Sequence, residues 1–290
     1  MKIVISIVNF NTKEFLKDLL DSFYRFKYKN KVDIWILDNA SKDGSVEMIK
    51  KQFPEVNLIE GKINVGFGAG HNVIFKKTKA DFFLILNPDS LFTENVIDKM
   101  VEFMEKENCH IASCKVFSFD GKLQPNAGNL PFGLSLIGWL FNLDSFFHKS
   151  FHIEDIDFYE SAREVGWVSG NFMIIKAEVL QKLGGFNEKY FMYFEDVEIC
   201  FRARNLFKIM INPRTSIRHF SGGSLENAKF SQWSGEIKGL VKFYRNQYGL
   251  PGFLFIKSLS YLSVFLRMVV YALIGKFNFS LNYGKVIFSI

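Results

Sequence analysis

The stretch FFLILNPD, residues 82–89, decides the fold, because a wholly apolar run ends there in residues typical of a turn. A continuous apolar run of about four to eight residues is typical of a strand buried on both faces of a parallel sheet. IVISIV at residues 3–8, DIWIL at 33–37 and VNLIE at 56–60 are further predicted strands, and helical patterns separate them. The alternation predicts an α/β fold with a mostly parallel, Rossmann-like sheet, flanking helices, and ligand residues at the carboxyl ends of the strands.

The helices between these strands are predicted from apolar spacing and from residues that begin or end helices. A helix at about residues 12–26 has one apolar side, and another helix follows the glycine-rich loop at 64–72. Ser41 is predicted to be the N-cap of a helix that reaches Phe53, where Pro54 stops it.

The alternation weakens after about residue 110. Longer strands are predicted at 111–119 and 167–175, and a short helix at 178–183. Residues 120–165 contain many aromatic side chains but no clear period, so we predict an irregular stretch there.

The composition indicates a chain that buries a sizeable core. Of the 290 residues, 48% are hydrophobic and 23% are charged, which excludes disordered and collagen-like chains. The length permits one large domain or two modest ones. The three cysteines show no metal-ligand spacing, so we expect a reducing compartment and neither a disulfide framework nor a zinc site. The first apolar run is too short for a signal peptide.

Charge is unevenly distributed along the chain. The sequence carries 36 Lys and Arg against 30 Asp and Glu, a net charge of +6. No acidic residue follows Glu236, so the positive excess lies in a C-terminal segment that is also strongly apolar. Nucleic-acid binders usually spread Lys and Arg over a polar face, so we expect no nucleic-acid partner. A basic, apolar segment favours the surface of an anionic membrane.

The apolar C-terminal run at residues 253–275 has the length of a membrane span, but Lys257 and Arg267 interrupt it. One apolar stripe recurs at helical spacing, and its members are Leu259, Leu262, Leu266, Val269 and Leu273. Off that stripe lie Lys257, Ser260, Ser263 and Arg267. We predict monotopic helices in the membrane interface over residues 246–290. The alternative is a helix pair packed against the chain's own core or against a partner in a homodimer.

Four groups of polar residues could carry chemistry, although each alone has a plain structural explanation. The glycine loop at 64–72 lacks the third glycine of a dinucleotide fingerprint and alone indicates a tight strand-to-helix turn. Asp89 could cap a turn or hold Mg²⁺ or Mn²⁺. The acidic stretch Glu195–Glu198 could favour a helix start, or supply a general base whose pKa is raised by its surroundings. His219 could be a second metal ligand or a hydrogen-bonded loop histidine.

The order of these groups resembles the inverting GT-A glycosyltransferases of family 2, and most closely their rhamnosyltransferase-like members. The stretches that carry the resemblance are VNFN at 8–11, DNASKDGS at 38–45, NVGFGAGHN at 64–72, LNPD at 86–89, WVSG at 167–170, GGFNE at 184–188, FMYFEDVE at 191–198 and HFSGG at 219–223. The resemblance covers about residues 1–245 and is specific because it is a series. No known motif covers the residues after 250.

The resemblance implies a nucleotide-sugar site. Its implied residues are Val8, Asn9, Asn11, Asp38, Asn39, Asn64, Gly66, Phe67, Gly68, Asn72, Asn87, Asp89 and Gly170. Among them, Asp38 would accept a hydrogen bond from a pyrimidine base, with Val8 and Asn9 beside the nucleotide. The glycine loop would lie against the nucleotide and the donor sugar.

The resemblance also implies a metal site and a base. Asp89 occupies the last position of the family's Asp-x-Asp motif and would hold Mg²⁺ or Mn²⁺, with His219 as a second ligand. Asn87 at the first position is a departure, because an amide is a weak ligand. Asp196 would deprotonate an acceptor hydroxyl, and Glu195 and Glu198 would shape its electrostatic field.

The implied activity is the transfer of one sugar with inversion, from a dTDP-sugar or UDP-sugar to a glycan carried on a polyprenyl diphosphate. L-Rhamnose from dTDP-rhamnose is the expected donor sugar, in bacterial cell-surface polysaccharide synthesis at the cytoplasmic face of the inner membrane. Residues 1–110 would bind the nucleotide sugar, and residues 111–245 would bind the acceptor and carry catalysis. The alternatives are another nucleotide-sugar enzyme such as a nucleotidyltransferase, and a non-catalytic membrane assembly partner.

Overall fold

Strands and helices alternate through the first 110 residues, as predicted. The computed structural model describes residues 1–143, 151–220 and 226–287, without the side chains of 226–229, so the Gly222-Gly223 pair lies outside the described residues. In chain order the strands and helices are β1 Lys2–Asn9, α1 Lys13–Phe23, β2 Lys31–Asp38, α2 Ser45–Gln52, β3 Asn57–Glu60, α3 Phe67–Lys77, β4 Phe82–Leu86, β5 Ser90–Phe92, α4 Val96–Lys106, β6 Ile111–Phe117, β7 Leu123–Gln124, β8 Ala127–Gly128, α5 Leu134–Phe141, β9 Arg163–Glu164, β10 Trp167–Val168, β11 Phe172–Lys176, α6 Ala177–Leu183, α7 Glu195–Ala203, β12 Ile209–His219, α8 Glu226–Leu273 and α9 Phe277–Ile287. A 3-10 helix lies at Ile156–Glu160.

The chain divides into two units. The first unit contains Met1–Leu130 and His152–Ser221, and the second contains Pro131–Phe151 and Gly222–Ile290. The sheet of the first unit has the strand order β3-β2-β1-β4-β11-β6-β12-β5. Strands β3, β2, β1 and β4 are parallel, and β11 runs antiparallel to both β4 and β6. The sheet is therefore mixed, and its N-terminal half is the predicted parallel arrangement, which confirms the α/β fold class.

Strand β1 is central in this sheet because its residues are apolar on both faces. Ile3, Ile5 and Ile7 enter the main hydrophobic core, and Val4 on the opposite face is equally buried. Such two-sided burial is typical of parallel sheets covered by helices on both faces. Cys109, Cys114 and Cys200 are free thiols buried in this unit.

The prediction that Ser41 caps α2 is wrong. The helix begins at Ser45, and its N-cap is Gly44, whose φ of 83° is left-handed. The hydroxyl of Ser41 instead accepts hydrogen bonds from the main-chain N–H of Asn11 and from Asn9 Nδ2, at 2.9 and 3.1 Å. Because these donors belong to the end of β1, Ser41 joins two loops and is not available to the helix.

The predicted single strand at 167–175 is also wrong, because two strands occupy that stretch. β10 pairs with β8 in a separate small sheet, whereas β11 belongs to the main sheet. The three residues between them, Ser169, Gly170 and Asn171, leave the ladder, and Ser169 donates its main-chain N–H to Asn126 O at 2.8 Å. The break places Gly170 at the candidate site.

A helix replaces part of the irregular stretch predicted at 120–165. α5 has the sequence LSLIGWLF, and most of its side chains are buried. Because nearly all of its residues are apolar, the sequence shows no polar face and hence no helical period.

The second unit is built around α8, which breaks at Gly249. Gly249 has a left-handed φ of 62°, and Pro251 follows two residues later. Proline removes a helical hydrogen bond and clashes with the preceding turn, so a break at this point is expected. α9 packs back on α8 through Val264, Tyr283 and Val286.

The C-terminal half of α8 buries its polar side. Ser260 and Ser263 are fully buried, and Ser263 donates to the main-chain oxygen of Leu140 in α5. Arg267 donates to the same oxygen over 3.1 Å, and its guanidinium lies 5.0 Å from the ring centre of Trp233.

The predicted apolar stripe of α8 is largely exposed. Leu262 and Leu266 are 50% and 44% exposed, and Leu273 is 80% exposed. Within the described residues, one helical segment, Phe230–Leu273, is long and apolar enough to cross a membrane by length and composition. The break at Gly249 interrupts that segment.

Candidate active site

Asn9 and Asp38 end neighbouring parallel strands and bond to each other. They are partners in the register of β1 and β2, and Asn9 Nδ2 donates to Asp38 Oδ2 over 2.8 Å. The other oxygen of Asp38 accepts the main-chain N–H of Ser41, also over 2.8 Å. Asp38 is only 1% exposed, so the chain's own donors engage its carboxylate and a nucleotide base would use a remaining lone pair. Its role in base recognition stays a prediction.

Asn11 and Asn39 fasten the loops that follow these strands. Asn11 has a left-handed φ of 54°, and its Oδ1 accepts the main-chain N–H of Lys42 at 2.8 Å. Asn39 Nδ2 donates to the main-chain oxygen of Gly66 at 3.2 Å, and its Oδ1 accepts the N–H of Val65 at 3.3 Å. The predicted donor-site asparagines therefore also hold the shape of the site.

The glycine loop is held against the segment around Phe191. Gly66 has a φ of 91°, and a Cβ on it would lie 2.4 Å from Phe191 O. The same oxygen accepts the main-chain N–H of Phe67 at 2.9 Å, and Asn64 Oδ1 accepts that of Gly66 at 2.9 Å. No side chain fits at Gly66, because both the backbone conformation and the close approach exclude one.

Two further glycines in this loop allow close packing. A Cβ on Gly68 would lie 2.9 Å from Phe186 Cβ and 3.5 Å from Glu195 Cγ. A Cβ on Gly70 would lie 2.7 Å from Val8 Cγ2. Helix α3 is thus pressed against the start of α7 on one side and the end of β1 on the other.

Asn72 binds the chain's own backbone. Its Oδ1 accepts the N–H of Phe186 at 2.8 Å, and its Nδ2 donates to Phe186 O at 2.8 Å and to Glu188 Oε1 at 3.0 Å. Both ends of this amide are therefore engaged, and Asn72 lies in the framework of the site. Its predicted contact with the donor sugar stays a prediction.

Asp89 and His219 come together at the end of β4. Strand β12 pairs with β5 so that His219 lies opposite Ser90, and His219 Nε2 lies 3.1 Å from Asp89 Oδ1. Asn87 Nδ2 also lies 3.1 Å from His219 Nε2. The two residues predicted as metal ligands, 130 positions apart in the chain, thus point at one place.

These two side chains fit a hard divalent cation, although they supply only part of its coordination. Two ligand atoms bound to Mg²⁺ at about 2.1 Å on adjacent corners of an octahedron lie about 3.0 Å apart, close to the 3.1 Å between the Asp89 and His219 atoms. Within the described residues no group of three or more His, Cys, Asp or Glu side chains is placed so that it could hold a metal ion. Phosphate oxygens and water, which commonly complete Mg²⁺ shells, would fill the remaining positions.

Asp196 lies in the first turn of α7, directly after a strained turn. Tyr193 and Phe194 both have left-handed φ angles, 68° and 76°, which are uncommon for bulky residues and cluster at functional sites. Asp196 Oδ2 accepts the main-chain N–H of Gly170 at 3.1 Å, and Oδ1 accepts that of Val197 at 2.8 Å. The turn and these two bonds fix where the carboxylate points.

Glu195 is the neighbouring acid that stays protonated. It is 5% exposed, and its Oε2 has no hydrogen-bond partner within the described residues. Burial first, and the charge of Asp196 second, raise the pKa of Glu195 to about 8. Glu195 therefore loses its proton less readily than an ordinary carboxyl group, and the role of Asp196 as the base stays a prediction.

Glu198 serves the framework of the site. Both of its oxygens accept from Arg202 Nε at 3.0 Å. Arg202 in turn donates to the main-chain oxygens of Leu183 and Gly185 at 2.7 and 2.8 Å. This pair ties α7 to the end of α6.

The turn between β10 and β11 bonds both to the start of α7 and to the segment that follows β4. Gly170 donates its N–H to Asp196, and the adjacent Asn171 accepts the N–H of Asn87 at its main-chain oxygen, over 3.2 Å. Sequence reasoning singled out Gly170 but missed Asn171, whose contribution is a main-chain atom with no side-chain signal. It also missed Gln124, which contacts His219 from the stretch without a period.

Comparison with known proteins identifies relatives of this site and fold. Residues 4–184 match the profile described as Glycosyl transferase family 2. The chain is similar to the N-acetylglucosaminyl-diphospho-decaprenol L-rhamnosyltransferase of Mycobacterium tuberculosis, with 26% identity over 187 residues that cover 58% of this chain and 59% of the relative. It is also similar to Rhamnosyltransferase WbbL of Escherichia coli, with 22% identity over 213 residues, 69% of this chain and 76% of the relative.

A solved structure shares the fold. Mannosyltransferase PcManGT from Pyrobaculum calidifontis, in complex with GDP-Man and Mn²⁺, superposes with a TM-score of 0.60 at 15% identity, over 93% of this chain and 74% of that one. The chain matches about three fifths of the length of the mycobacterial relative. These findings confirm the predicted family resemblance and the GT-A fold.

Proposed function

The chain belongs to glycosyl transferase family 2, and on that premise we propose that it transfers one sugar, with inversion, from a nucleoside diphosphate sugar to a lipid-linked glycan. The donor would lie over residues 1–110 and the acceptor over 111–245. The proposed setting is the synthesis of bacterial cell-surface polysaccharide.

One observation carries this proposal: the turn at Gly170 and Asn171 bonds both to Asp196 and to the main-chain N–H of Asn87, whose side chain lies 3.1 Å from His219 Nε2 beside Asp89. Displacement of a nucleoside diphosphate needs stabilisation of the leaving diphosphate and removal of the proton from the attacking hydroxyl. The two side-chain groups are suited to these two tasks, and a short rigid turn fixes their separation.

The proposed reaction is a single displacement. The acceptor hydroxyl oxygen forms a bond to the anomeric carbon, while the bond from that carbon to the diphosphate oxygen breaks. Asp196 takes the hydroxyl proton as the new bond forms, and the nucleoside diphosphate leaves with the electron pair. One base and one attack give inversion at the anomeric carbon.

Asp89 and His219 would hold Mg²⁺ or Mn²⁺ at the diphosphate. When bound, the cation supplies Lewis-acid neutralisation of the charge that grows on the leaving group. Glu195 remains protonated and buried beside Asp196. A second negative charge next to the base is thereby avoided.

We propose L-rhamnose from dTDP-rhamnose as the donor, with a UDP-sugar as the alternative. The names of two relatives include rhamnosyl transfer, which supports the sugar. The name of the mycobacterial relative includes a diphospho-decaprenol, which supports a polyprenyl diphosphate in the acceptor.

Calorimetric titration with dTDP and with UDP, each with Mn²⁺ or with EDTA, tests the donor site. We expect one nucleotide to bind only with Mn²⁺, and Asp89→Ala to lose that binding. Asp18→Ala removes an exposed carboxylate from α1 and should bind as the wild type does.

Other outcomes would contradict this function. Nucleotide binding that EDTA leaves unchanged would contradict the proposed metal site. Pyrophosphate release from a nucleoside triphosphate and a sugar phosphate would support a nucleotidyltransferase. Absence of binding for either nucleotide would support a non-catalytic assembly partner.

We further propose that the second unit docks on the cytoplasmic face of an anionic membrane as a peripheral element. Its exposed apolar side chains, each at least 39% exposed, include Leu254, Phe255, Leu262, Phe265, Leu266, Val269, Val270, Leu273, Ile274, Phe277 and Leu281. Exposed apolar patches of this extent mark interaction sites. Lys276 and Lys285, both exposed, supply charge that complements acidic lipid headgroups.

Sedimentation with phosphatidylcholine vesicles, with and without phosphatidylglycerol, tests the docking. The double variant Leu266→Ser/Leu273→Ser should lose most of its vesicle binding. The control variant Ile63→Ser/Leu206→Ser alters first-unit side chains of similar exposure, 69% and 60%, and should bind normally. Equal binding by both variants would contradict the proposal.

A further inference from the structure

Gln124 contacts His219 through both ends of its side-chain amide. Gln124 Nε2 donates to the main-chain oxygen of His219 over 3.0 Å, and Gln124 Oε1 lies 3.0 Å from His219 Nδ1. Both residues end strands that pair with β6: β7 in antiparallel and β12 in parallel orientation. The sheet therefore brings this pair together across 95 positions of sequence.

The amide fixes which ring nitrogen of His219 carries hydrogen. A main-chain oxygen only accepts, so the NH₂ group of Gln124 must face it and the amide oxygen must face Nδ1. That oxygen also only accepts, so Nδ1 carries the hydrogen. In a neutral imidazole the other nitrogen, Nε2, then carries a lone pair, which accepts from the NH₂ group of Asn87.

This lone pair lies at the candidate metal site. His219 Nε2 lies 3.1 Å from Asp89 Oδ1 and 3.1 Å from Asn87 Nδ2. The opposite tautomer would place a hydrogen between Nε2 and Asp89, where a hydrogen bond would block both ligand atoms. Asp89 thus favours the unproductive tautomer, whereas the contact with Gln124 and the NH₂ group of Asn87 oppose it.

We propose that Gln124 is a positioning residue, which holds His219 in the tautomer that can bind a divalent cation through Nε2. This inference rests on the proposed metal-assisted function. Metal-bound histidines commonly donate their second N–H to a fixed oxygen, and loss of that oxygen weakens metal binding. The amide of Gln124 supplies that oxygen here, and its second bond holds it in place.

Gln124→Met tests the proposal, because methionine keeps the length of the side chain and removes the acceptor. The first measurement is the ¹⁵N chemical shifts of the His219 ring in metal-free protein, assigned with His219→Asn. We expect the wild type to carry hydrogen on Nδ1 and the Met variant to shift towards Nε2. The second is Mn²⁺ affinity by electron paramagnetic resonance, with Mn²⁺ alone and with UDP or dTDP, where we expect a loss of about ten- to a hundredfold.

Two further variants make the result specific. Gln124→Glu keeps an acceptor oxygen, so the tautomer should be retained and Mn²⁺ affinity should fall less than in Gln124→Met. Gln181→Met makes the same change at an exposed position of α6 and should alter neither measurement.

Hydrogen on Nε2 of wild-type His219 would overturn the proposal, and so would wild-type Mn²⁺ affinity in Gln124→Met. If Gln124→Met does not fold, the wild-type tautomer and Gln124→Glu decide the matter. A wild type that binds no Mn²⁺ would contradict the proposed metal-assisted function. The tautomer measurement, made without metal, would still show whether Gln124 orients the ring.

Discussion

The two units of the chain arrange polar and apolar side chains in opposite ways. In the first unit, strands such as β1 and β4 are buried and apolar, and polar residues gather where the strands end. In the second unit, Ser260 and Ser263 are buried while Leu262 and Leu266 are exposed. An amphipathic period therefore shows which residues share a face, but not which face is buried. The surroundings of the helix decide that, and the proposed docking on a membrane would give the exposed leucines apolar surroundings.

The largest expected effect is a loss of turnover, and it comes from the candidate active site of the first unit. Asp196→Asn should lower kcat by about 10²- to 10⁴-fold, because the amide cannot take the hydroxyl proton. The amide oxygen can still accept the N–H of Gly170, so folding and nucleotide binding should be unchanged. Release of nucleoside diphosphate measures the rate, and calorimetry measures the binding. Near-normal turnover would remove Asp196 as the base.

Gly66→Ala should test the packing that supports the candidate active site. The added Cβ would lie 2.4 Å from Phe191 O at a φ of 91°, so we expect a loss of about 3 kcal/mol or more in the free energy of unfolding. Gly121→Ala is the matched control, since Gly121 has a φ of 83° but nothing within 4 Å. Its cost should be about 1 kcal/mol. Urea unfolding of both variants measures the difference, and equal losses would show that conformation alone, without the contact, accounts for the effect.

Two substitutions in α8 test whether this helix buries its polar side and exposes its apolar stripe. Ser263→Leu should lower the free energy of unfolding by about 1–3 kcal/mol, because it overfills a buried position and removes the bond to Leu140. Leu266→Ser should change it by less than about 0.5 kcal/mol in lipid-free buffer, because the side chain is exposed. Tryptophan fluorescence during urea unfolding measures both. The reverse order would mean that the apolar stripe is buried.

A further expected effect is a pH dependence of the stability, which arises from Glu195. Burial raises its pKa in the folded state from 4.5 to about 8, so the folded protein holds this proton more tightly than the unfolded chain. The stabilisation is complete below pH 4.5 and is lost as the pH rises towards 8. Glu195→Gln should remove most of this fall in the free energy of unfolding between pH 5 and pH 8. Denaturation at both pH values measures it, Glu14→Gln is the exposed control, and an unchanged slope would contradict the assignment.

The elements that the sequence predicted well are strands that are buried on both faces of the sheet. FFLIL occupies β4 from Phe82 to Leu86, as predicted, because an apolar run of strand length has few other solutions. The series of polar motifs likewise predicted the family, and residues 4–184 match it. Side chains at the ends of parallel strands must meet at one edge of the sheet, so the positions of Asn9 and Asp38 follow from topology.

The features that sequence missed depend on partners far along the chain. Nothing local shows that Ser41 bonds to the end of β1 or that Gly170 leaves its strand to reach Asp196. Gln124 lies in a strand of two residues, too short for any period. The sequence also could not show that Leu266 is exposed, because an apolar stripe has the same helical spacing whether it is buried or exposed.

The burial of every cysteine in the first unit makes thiol chemistry a reporter of that unit alone. Cys109, Cys114 and Cys200 are inaccessible, and burial raises the pKa of the Cys109 and Cys200 thiols to about 12, so native thiolate is scarce. An alkylating reagent will therefore react at the rate at which the first unit opens. The second unit has no cysteine, so alkylation gives no signal from opening within that unit. The alkylation rate of the native cysteines thus measures the opening rate of the first unit without an added label.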